Sequence, residues 1–445
     1  MAASPFNQAD ETALLLADRS SIVQAMTTFA FPATGAWLPG VHVAIAGIEK
    51  DHRPGGALAI PGGSLSEYLA AAAPTHCADG WSYLSRALHS YLMGDAHSSW
   101  HFSYYAELRA AQSILSGLGC GAFNTWNCVL DAHGAIHSLA KRPTHEMVWL
   151  ALGFLIKSST AASSEIAAAT KIFGESVPDI VQYAYPGVNA ATTSSSWISD
   201  WLYDLEVGAE DKGFRNRCSY NPHILTPHRA NVQESMELVT SLWKVLEPSP
   251  GAAFLQLDKH IVRSALRKAA SDSLRLRGTP DPIAAAALEA ELRAAYERLV
   301  GAAPVLQSIP LDFLANPLEQ DHPLLQHAQD YSASPATPRP VLARASLLLR
   351  VATGMTQNLL RDAGQESQLG FWLDDLAELQ GLVSQRSEMP SSRMDLYLDC
   401  VDASEQFESE YAKGKTSLAA LMGSPKVRTH LLSQAERVVQ WSFAS

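Results

Sequence analysis

The segment 98-SSWHFSYYAELRAAQSILS-116 carries apolar and aromatic side chains at the spacing of an amphipathic helix. Helical side chains three or four positions apart share one face, and the residues that recur at this spacing are Trp100, Tyr104, Leu108, Ala111 and Leu115. Comparable patterns predict helices over 12–29 and 166–185 and over most of the chain that follows. Because strand-like runs are scarce, the sequence predicts an all-α protein.

Breaks in the helical pattern divide the chain into three parts. Residues 1–80 contain repeated prolines and glycines and one strand-like run at 41–45, which predicts an irregular N-terminal arm or subdomain. Residues 81–248 predict a helical bundle module, because the Pro-Ser-Pro-Gly sequence at 248–251 cannot continue a helix. Residues 249–445 predict an additional helical C-terminal domain.

The composition is that of a folded, acidic protein. Hydrophobic residues make up 47% and charged residues 18% of the 445 positions, which excludes a globally disordered chain. A net charge of -12 argues against a protein that coats nucleic acid, although it permits a small basic cleft. The N-terminus lacks a signal-peptide pattern, and the longest apolar run, 147–156, is too short to span a bilayer. With five cysteines that form no close pair, we expect a cytoplasmic protein without membrane contact.

The most basic neighbourhood surrounds the stretch 214-FRNRCSYNPH-223, where four basic residues between positions 211 and 229 face a single acid. A guanidinium can clamp phosphate oxygens as negative charge develops, and an imidazole can take a proton from a hydroxyl or return one to a leaving oxygen. We therefore predict phosphodiester chemistry, with Arg215 stabilising the phosphate and His223 acting as general base or acid. Asn216 would orient a phosphate oxygen through a neutral hydrogen bond.

At these residues the sequence resembles a known family. Arg215-Asn216, six residues and His223 match the Arg-polar-x(4–6)-His signature of HEPN domains, and the resemblance covers about residues 97–245. HEPN domains are small helical modules of many RNA-cleaving toxins and antiphage proteins, in which two protomers bring Arg and His into one cleft. The resemblance implies an endoribonuclease without metal or cofactor that leaves a cyclic phosphate on RNA. One departure is Pro222, which disfavours helical geometry in the residue before it, so that His223 would begin a helix.

The same resemblance sets the expected surroundings of the site. It implies a homodimer or higher oligomer, a protein partner encoded in the same operon, and a role in phage defence or as a toxin. The helix at 98–116 would pack beside the motif. We expect substrate contacts from the basic and aromatic residues Arg217, Tyr220, His228, Arg229 and Tyr105.

Three alternatives remain open at this point. The chain is either an enzyme or a non-catalytic helical scaffold or sensor subunit of a larger bacterial assembly. The motif itself can be a polar surface loop in which Arg215 pairs with Asp204 or Asp211. A metal site would require convergence of three histidines, and the candidates are His133, His137 and His145.

Overall fold

A computed structural model describes the backbone of residues 6–29, 31, 35–51, 60–124, 126–158, 160–189, 205–220, 231–249, 254–316, 322–330, 337–415, 417, 420–421, 423–424 and 427–443. The model is 69% helical with few strands, which confirms the predicted all-α class. None of the described helices combines the length and the apolar character needed to cross a membrane.

The helices and strands follow one another along the chain with short connections. The N-terminal half comprises α1 (Gln8–Leu15), α2 (Ser20–Thr27), α3 (Val43–Asp51), α4 (Gly62–Leu92), α5 (Ala96–Gly117), β1 (Cys120–Phe123), β2 (Trp126–Leu130), β3 (Ile136–Leu139), α6 (Thr144–Lys157), α7 (Ala161–Ala167), β4 (Lys171–Ile172), β5 (Glu175–Ser176), α8 (Val177–Ala184) and α9 (Leu205–Tyr220). The C-terminal half comprises α10 (Val232–Val245), α11 (Leu255–Leu276), α12 (Ala285–Ala302), α13 (Leu311–Ala315), α14 (Pro323–Ala328), α15 (Arg339–Asp362), α16 (Gly370–Leu379), α17 (Asp395–Ala412), α18 (Thr429–Ser433) and α19 (Val438–Ser442).

The centre of the fold is a helical hairpin of α4 and α5, against which α15 packs. The hairpin turns at Gly94, whose φ of 79° favours glycine, and Asp95 caps α5 by accepting a hydrogen bond from the Ser98 amide at 3.0 Å. Helix α15 approaches α4 closely at Gly80, where an added Cβ would stand 2.6 Å from a Leu349 methyl group. The hairpin and α15 therefore form a tightly packed three-helix centre.

Polar contacts fix α15 inside this centre. The Trp81 indole on α4 donates a hydrogen bond to the Thr353 hydroxyl at 3.0 Å. Arg350 binds Asp258 of α11 through two hydrogen bonds of 2.7 and 3.1 Å, and both side chains are fully buried. A buried charge pair of this kind needs its full set of hydrogen bonds to offset the loss of hydration.

Several local predictions are corrected by the structure. The strand-like residues 41–45 lie at the start of helix α3, and the helix expected over 12–29 is two helices, α1 and α2. Residues 166–185 form the end of α7, the β4–β5 hairpin and α8 instead of one helix. The sequence also missed the antiparallel sheet β1–β2–β3, in which Cys128 pairs with Gly121 and Ser138.

The hydrophobic core crosses the predicted subdivisions. One cluster of buried apolar side chains includes residues from Phe6 near the N-terminus to Phe443 near the C-terminus. Helix α4 begins at Gly62, within the predicted arm, and continues through Pro74 to Leu92. The arm, the 81–248 module and the C-terminal helices therefore share a core, while their boundaries as domains remain a prediction.

Candidate functional site

Helix α9, which carries the first half of the Arg/His motif, packs on α5. Phe214 and Cys218 are buried against Trp100, with the Phe214 and Trp100 ring centroids 4.5 Å apart. Beside this contact, the Ser219 hydroxyl lies 2.7 Å from Nδ1 of His101. The packing confirms that the helix predicted at 98–116 lies beside the motif.

Arg215 projects from α9 onto two tyrosine rings of α5. Its guanidinium carbon lies 5.0 Å from the Tyr104 ring centroid and 5.5 Å from that of Tyr105, and only 6% of the residue is exposed. No ion pair joins Arg215 to a carboxylate of the described residues, so the alternative pairing with Asp211 or Asp204 is not observed there. Cation–π contacts with two rings therefore hold this buried charge.

The charge of Arg215 acts on His145, at the start of α6. Nδ1 of His145 lies 3.0 Å from the Tyr104 hydroxyl oxygen, and its ring stacks on the Tyr104 ring. Burial, followed by the charges of Arg215, Lys212 and Arg109, lowers the pKa of His145. The imidazole is thus neutral at physiological pH and available to accept a proton.

The remaining predicted residues lie in different surroundings. Asn216 is half-buried, and Arg217 is exposed with its guanidinium over the Phe214 ring at 4.9 Å. Tyr220 is the last residue of α9. His223, His228 and Arg229 lie outside the described residues, so their predicted roles remain predictions.

Tyr105 and His145 line a cleft of about 420 Å³ bounded by α4, α5, β1 and the start of α6. The turn after β1 shapes one wall: Asn124 adopts a φ of 56°, and its amide donates a hydrogen bond to the Thr144 hydroxyl at 2.7 Å. The polar and aromatic side chains around the cleft are Tyr68, His76, Tyr105, Arg109, Gln112, Phe123, Asn124, Thr144 and His145. We refer to this cavity as the cleft.

Arg109 is the central cation of the cleft. Its Nε lies 2.7 Å from a carboxylate oxygen of Asp79 on α4, and Nη1 donates to the Gln112 side-chain oxygen at 3.1 Å. Nη1 also lies 3.4 Å from Nδ1 of His76. Since a guanidinium can only donate, Nδ1 of His76 is the acceptor and the neutral ring carries its proton on Nε2.

The environment of His76 favours its neutral form even more strongly than that of His145. Burial and then the neighbouring charge of Arg109 lower the pKa of His76 to about 3. The cleft therefore brings together an arginine and two neutral imidazoles, and a bound anion at Arg109 would raise the pKa of both rings. This set of groups can bind a phosphate and exchange protons with it.

The three histidines considered as metal ligands occupy different positions. His137 Nε2 lies 2.9 Å from the Asp131 carboxylate on the β2–β3 hairpin, whereas His145 lies at the cleft. Among the described residues, no three His, Cys, Asp or Glu side chains come close enough together to hold a metal ion.

Sequence reasoning missed most of the cleft. Tyr105 and Arg109 stand four residues apart on α5, and His76 and Asp79 stand three apart on α4, so each pair shares a helix face. That spacing was the available signal, but only the α4–α5 hairpin brings the two faces together. No family model, curated protein or solved structure matches this chain.

Proposed function

We propose that the protein is a metal-independent endoribonuclease whose reaction takes place in the cleft around Arg109. The observation that carries this proposal is the position of Arg109 between His76 and His145 in one cavity. Cleavage of RNA at its 2′-hydroxyl needs a base, an acid and a cation at the phosphate, and these three side chains supply all of them. The resemblance to HEPN domains suggests a role in phage defence or as a toxin.

Each side chain has a role in this reaction. Arg109 binds the non-bridging oxygens of the phosphate, and His145 takes the proton of the 2′-hydroxyl. The 2′ oxygen attacks phosphorus, the bond to the 5′ oxygen breaks, and His76 donates a proton to that leaving oxygen. Because the bound anion raises the pKa of His76, this imidazole can carry the proton that it donates. The products are a 2′,3′-cyclic phosphate and a 5′-hydroxyl.

Arg215 then contributes as a positioning residue. It holds the Tyr104 and Tyr105 rings, and Tyr104 in turn contacts Nδ1 of His145. Its charge keeps His145 unprotonated until substrate arrives. In this proposal His223 belongs to a second, HEPN-type arrangement across a dimer, which a direct comparison of variants distinguishes from the cleft.

A non-catalytic scaffold or sensor subunit is the second candidate function. The burial of Arg215 between two rings supports it, because a side chain that is 6% exposed also serves as a packing element. In that case the motif maintains the contact between α9 and α5, and a partner protein supplies the activity of the assembly.

Cleavage of labelled single-stranded RNA in EDTA tests the proposal. We expect wild-type protein to produce cyclic-phosphate ends and His145→Ala to reduce the rate by roughly 10²–10⁴-fold. His89→Ala is the matched control, because His89 is an exposed histidine on α4 outside the cleft lining. Arg109→Ala should lose activity together with phosphate binding.

The results separate the candidates. Loss of activity in His223→Ala with full activity in His145→Ala would place the reaction at the Arg/His motif and reject the cleft. No cleavage by wild-type protein, alone or with proteins co-expressed from its operon, would favour the scaffold.

A further inference from the structure

A second cavity of about 460 Å³ lies on the other side of Arg109. It shares Tyr68, His76 and Arg109 with the cleft, so the two cavities meet at the proposed phosphate position. Its size is within the range of small-ligand sites. The apolar and aromatic residues that line it are Trp37, Leu38, Ile45, Tyr68, Ala71 and Ala72.

Polar groups occupy one side of this second cavity. Thr75 and Asp79 project from α4, and Asp79 uses one carboxylate oxygen for Arg109, which leaves the other oxygen as an acceptor. The Tyr68 hydroxyl makes no hydrogen bond to the described residues. Flat apolar walls combined with acceptors along one edge match a heteroaromatic ring better than an alkyl chain, which would leave these polar groups unpaired.

We infer that the second cavity binds the nucleobase of the nucleotide whose phosphate lies at Arg109, with preference for a base that carries an exocyclic amine. This inference rests on the proposed function of the cleft. The Asp79 carboxylate accepts a hydrogen bond from the amine of cytosine, whereas the corresponding oxygen of uracil would face it as a second acceptor. Trp37 and Tyr68 supply aromatic surface against which a base can stack.

The N-terminal segment gains a role from this assignment. The Trp37 ring is fixed by Phe371 and Trp372 of α16, with ring centroids 5.5 and 5.2 Å away. The wall of the second cavity is therefore held in place by a C-terminal helix. Specificity for the base would thus depend on a contact between the two ends of the chain.

Equilibrium binding of cytidine 5′-monophosphate, uridine 5′-monophosphate and inorganic phosphate tests the inference without any cleavage. We expect the cytidine nucleotide to bind wild-type protein at least about tenfold more tightly than the uridine nucleotide. Thr75→Phe fills the cavity from an exposed helix position and should weaken cytidine nucleotide binding about tenfold, with phosphate binding unchanged. Thr75→Ser is the matched control and should bind like wild type.

Asp79→Asn provides an independent measurement, because its side-chain amide both donates and accepts and so no longer disfavours uracil. The ratio of the two nucleotide affinities should fall to near one. Equal wild-type affinities for both nucleotides, no nucleotide binding at all, or unchanged cytidine binding in Thr75→Phe would each overturn the inference. RNA cleavage with any of these results would leave the proposed function standing, and nucleotide selectivity without RNA cleavage would reject only the nuclease.

Discussion

Two arginine–aspartate pairs, one in the core and one at the cleft, place the same residue types in opposite environments. Arg350 and Asp258 are 1% and 0% exposed, whereas the side chains of Arg109 and Asp79 are 30% and 42% exposed. The buried pair is bidentate and its arginine also lies over the Phe254 ring, so its hydrogen-bonding capacity is directed inward. The pair at the cleft keeps groups available to a ligand.

This difference determines what each pair can do. A buried pair is expensive to break, because the remaining partner stays charged and desolvated. A half-exposed pair adds little stability, because water screens it and replaces it easily. The core pair should therefore control folding and the cleft pair should control binding, and variants of each can test this division.

Arg350→Met should have the largest effect on stability. It leaves the Asp258 carboxylate buried without its partner, and we expect the free energy of unfolding to fall by about 3–5 kcal/mol in urea denaturation. The double variant Arg350→Met with Asp258→Leu should recover most of this loss, because no charge remains buried. Arg293→Ala, at an exposed pair on α12, is the control and should change stability by less than about 1 kcal/mol. Equal effects of the two single variants would contradict the division.

Gly354→Ala should have the next largest effect, one turn beyond Arg350 on α15. An added Cβ would collide with the backbone carbonyl oxygen of Ala169 and approach the Arg350 guanidinium to 2.8 Å. We expect a loss of about 3 kcal/mol, measured by thermal or urea unfolding. Gly301→Ala on α12 is the matched control, since no atom lies within 4 Å of its added Cβ. That control should be neutral or stabilising by up to about 1 kcal/mol; a neutral Gly354→Ala would show that α15 packs less closely.

Most of the fold could be predicted from helical periodicity, and the failures have local causes. The spacing of apolar residues gave α5, α10, α11 and α15 to within a few residues. The strand-like residues 41–45 became part of a helix, because a short apolar run does not distinguish the two states. The β1–β2–β3 sheet has strands of only four or five residues, too short for a clear alternating pattern.

The site was harder to predict than the fold. The basic stretch around Arg215 indicated an unusual segment, and the structure places Arg215 beside the helix that was expected to neighbour it. His76 and Arg109 gave no signal of their own, because residues 33 positions apart become neighbours only through the α4–α5 hairpin. Motifs within one segment can be read from sequence, whereas sites formed between helix faces depend on packing.

The pH dependence of stability offers a third test, because a core histidine and a surface histidine should differ. His260 packs against the rings of Phe313 and His322, and burial lowers its pKa to about 4. The unfolded chain, with a pKa of about 6.5, therefore takes up a proton that the folded protein does not. This contribution to stability is complete above pH 6.5 and is lost as the pH falls towards 4.

The measurement compares urea unfolding at pH 6.5 and 4.5. After allowance for partial exposure to solvent, His260→Gln should reduce the loss of stability over this range by roughly 1–2 kcal/mol. His89→Gln, at an exposed position, should leave the loss unchanged. A wild-type dependence retained in full by His260→Gln would assign the acid sensitivity to other groups.

Arg109→Ala should have the smallest effect on stability and the largest effect on ligand binding. The half-exposed contact with Asp79 contributes less than about 1 kcal/mol to folding, so urea unfolding should change little. Binding of inorganic phosphate should weaken substantially, because a guanidinium is the main phosphate ligand that the cleft offers. Arg109→Lys separates charge from geometry: an ammonium keeps the attraction but lacks the planar pair of donors, so it should restore only part of the affinity. If Arg109→Ala instead unfolded the protein as Arg350→Met should, Arg109 would be a structural residue, and the contrast between core and cleft would fail.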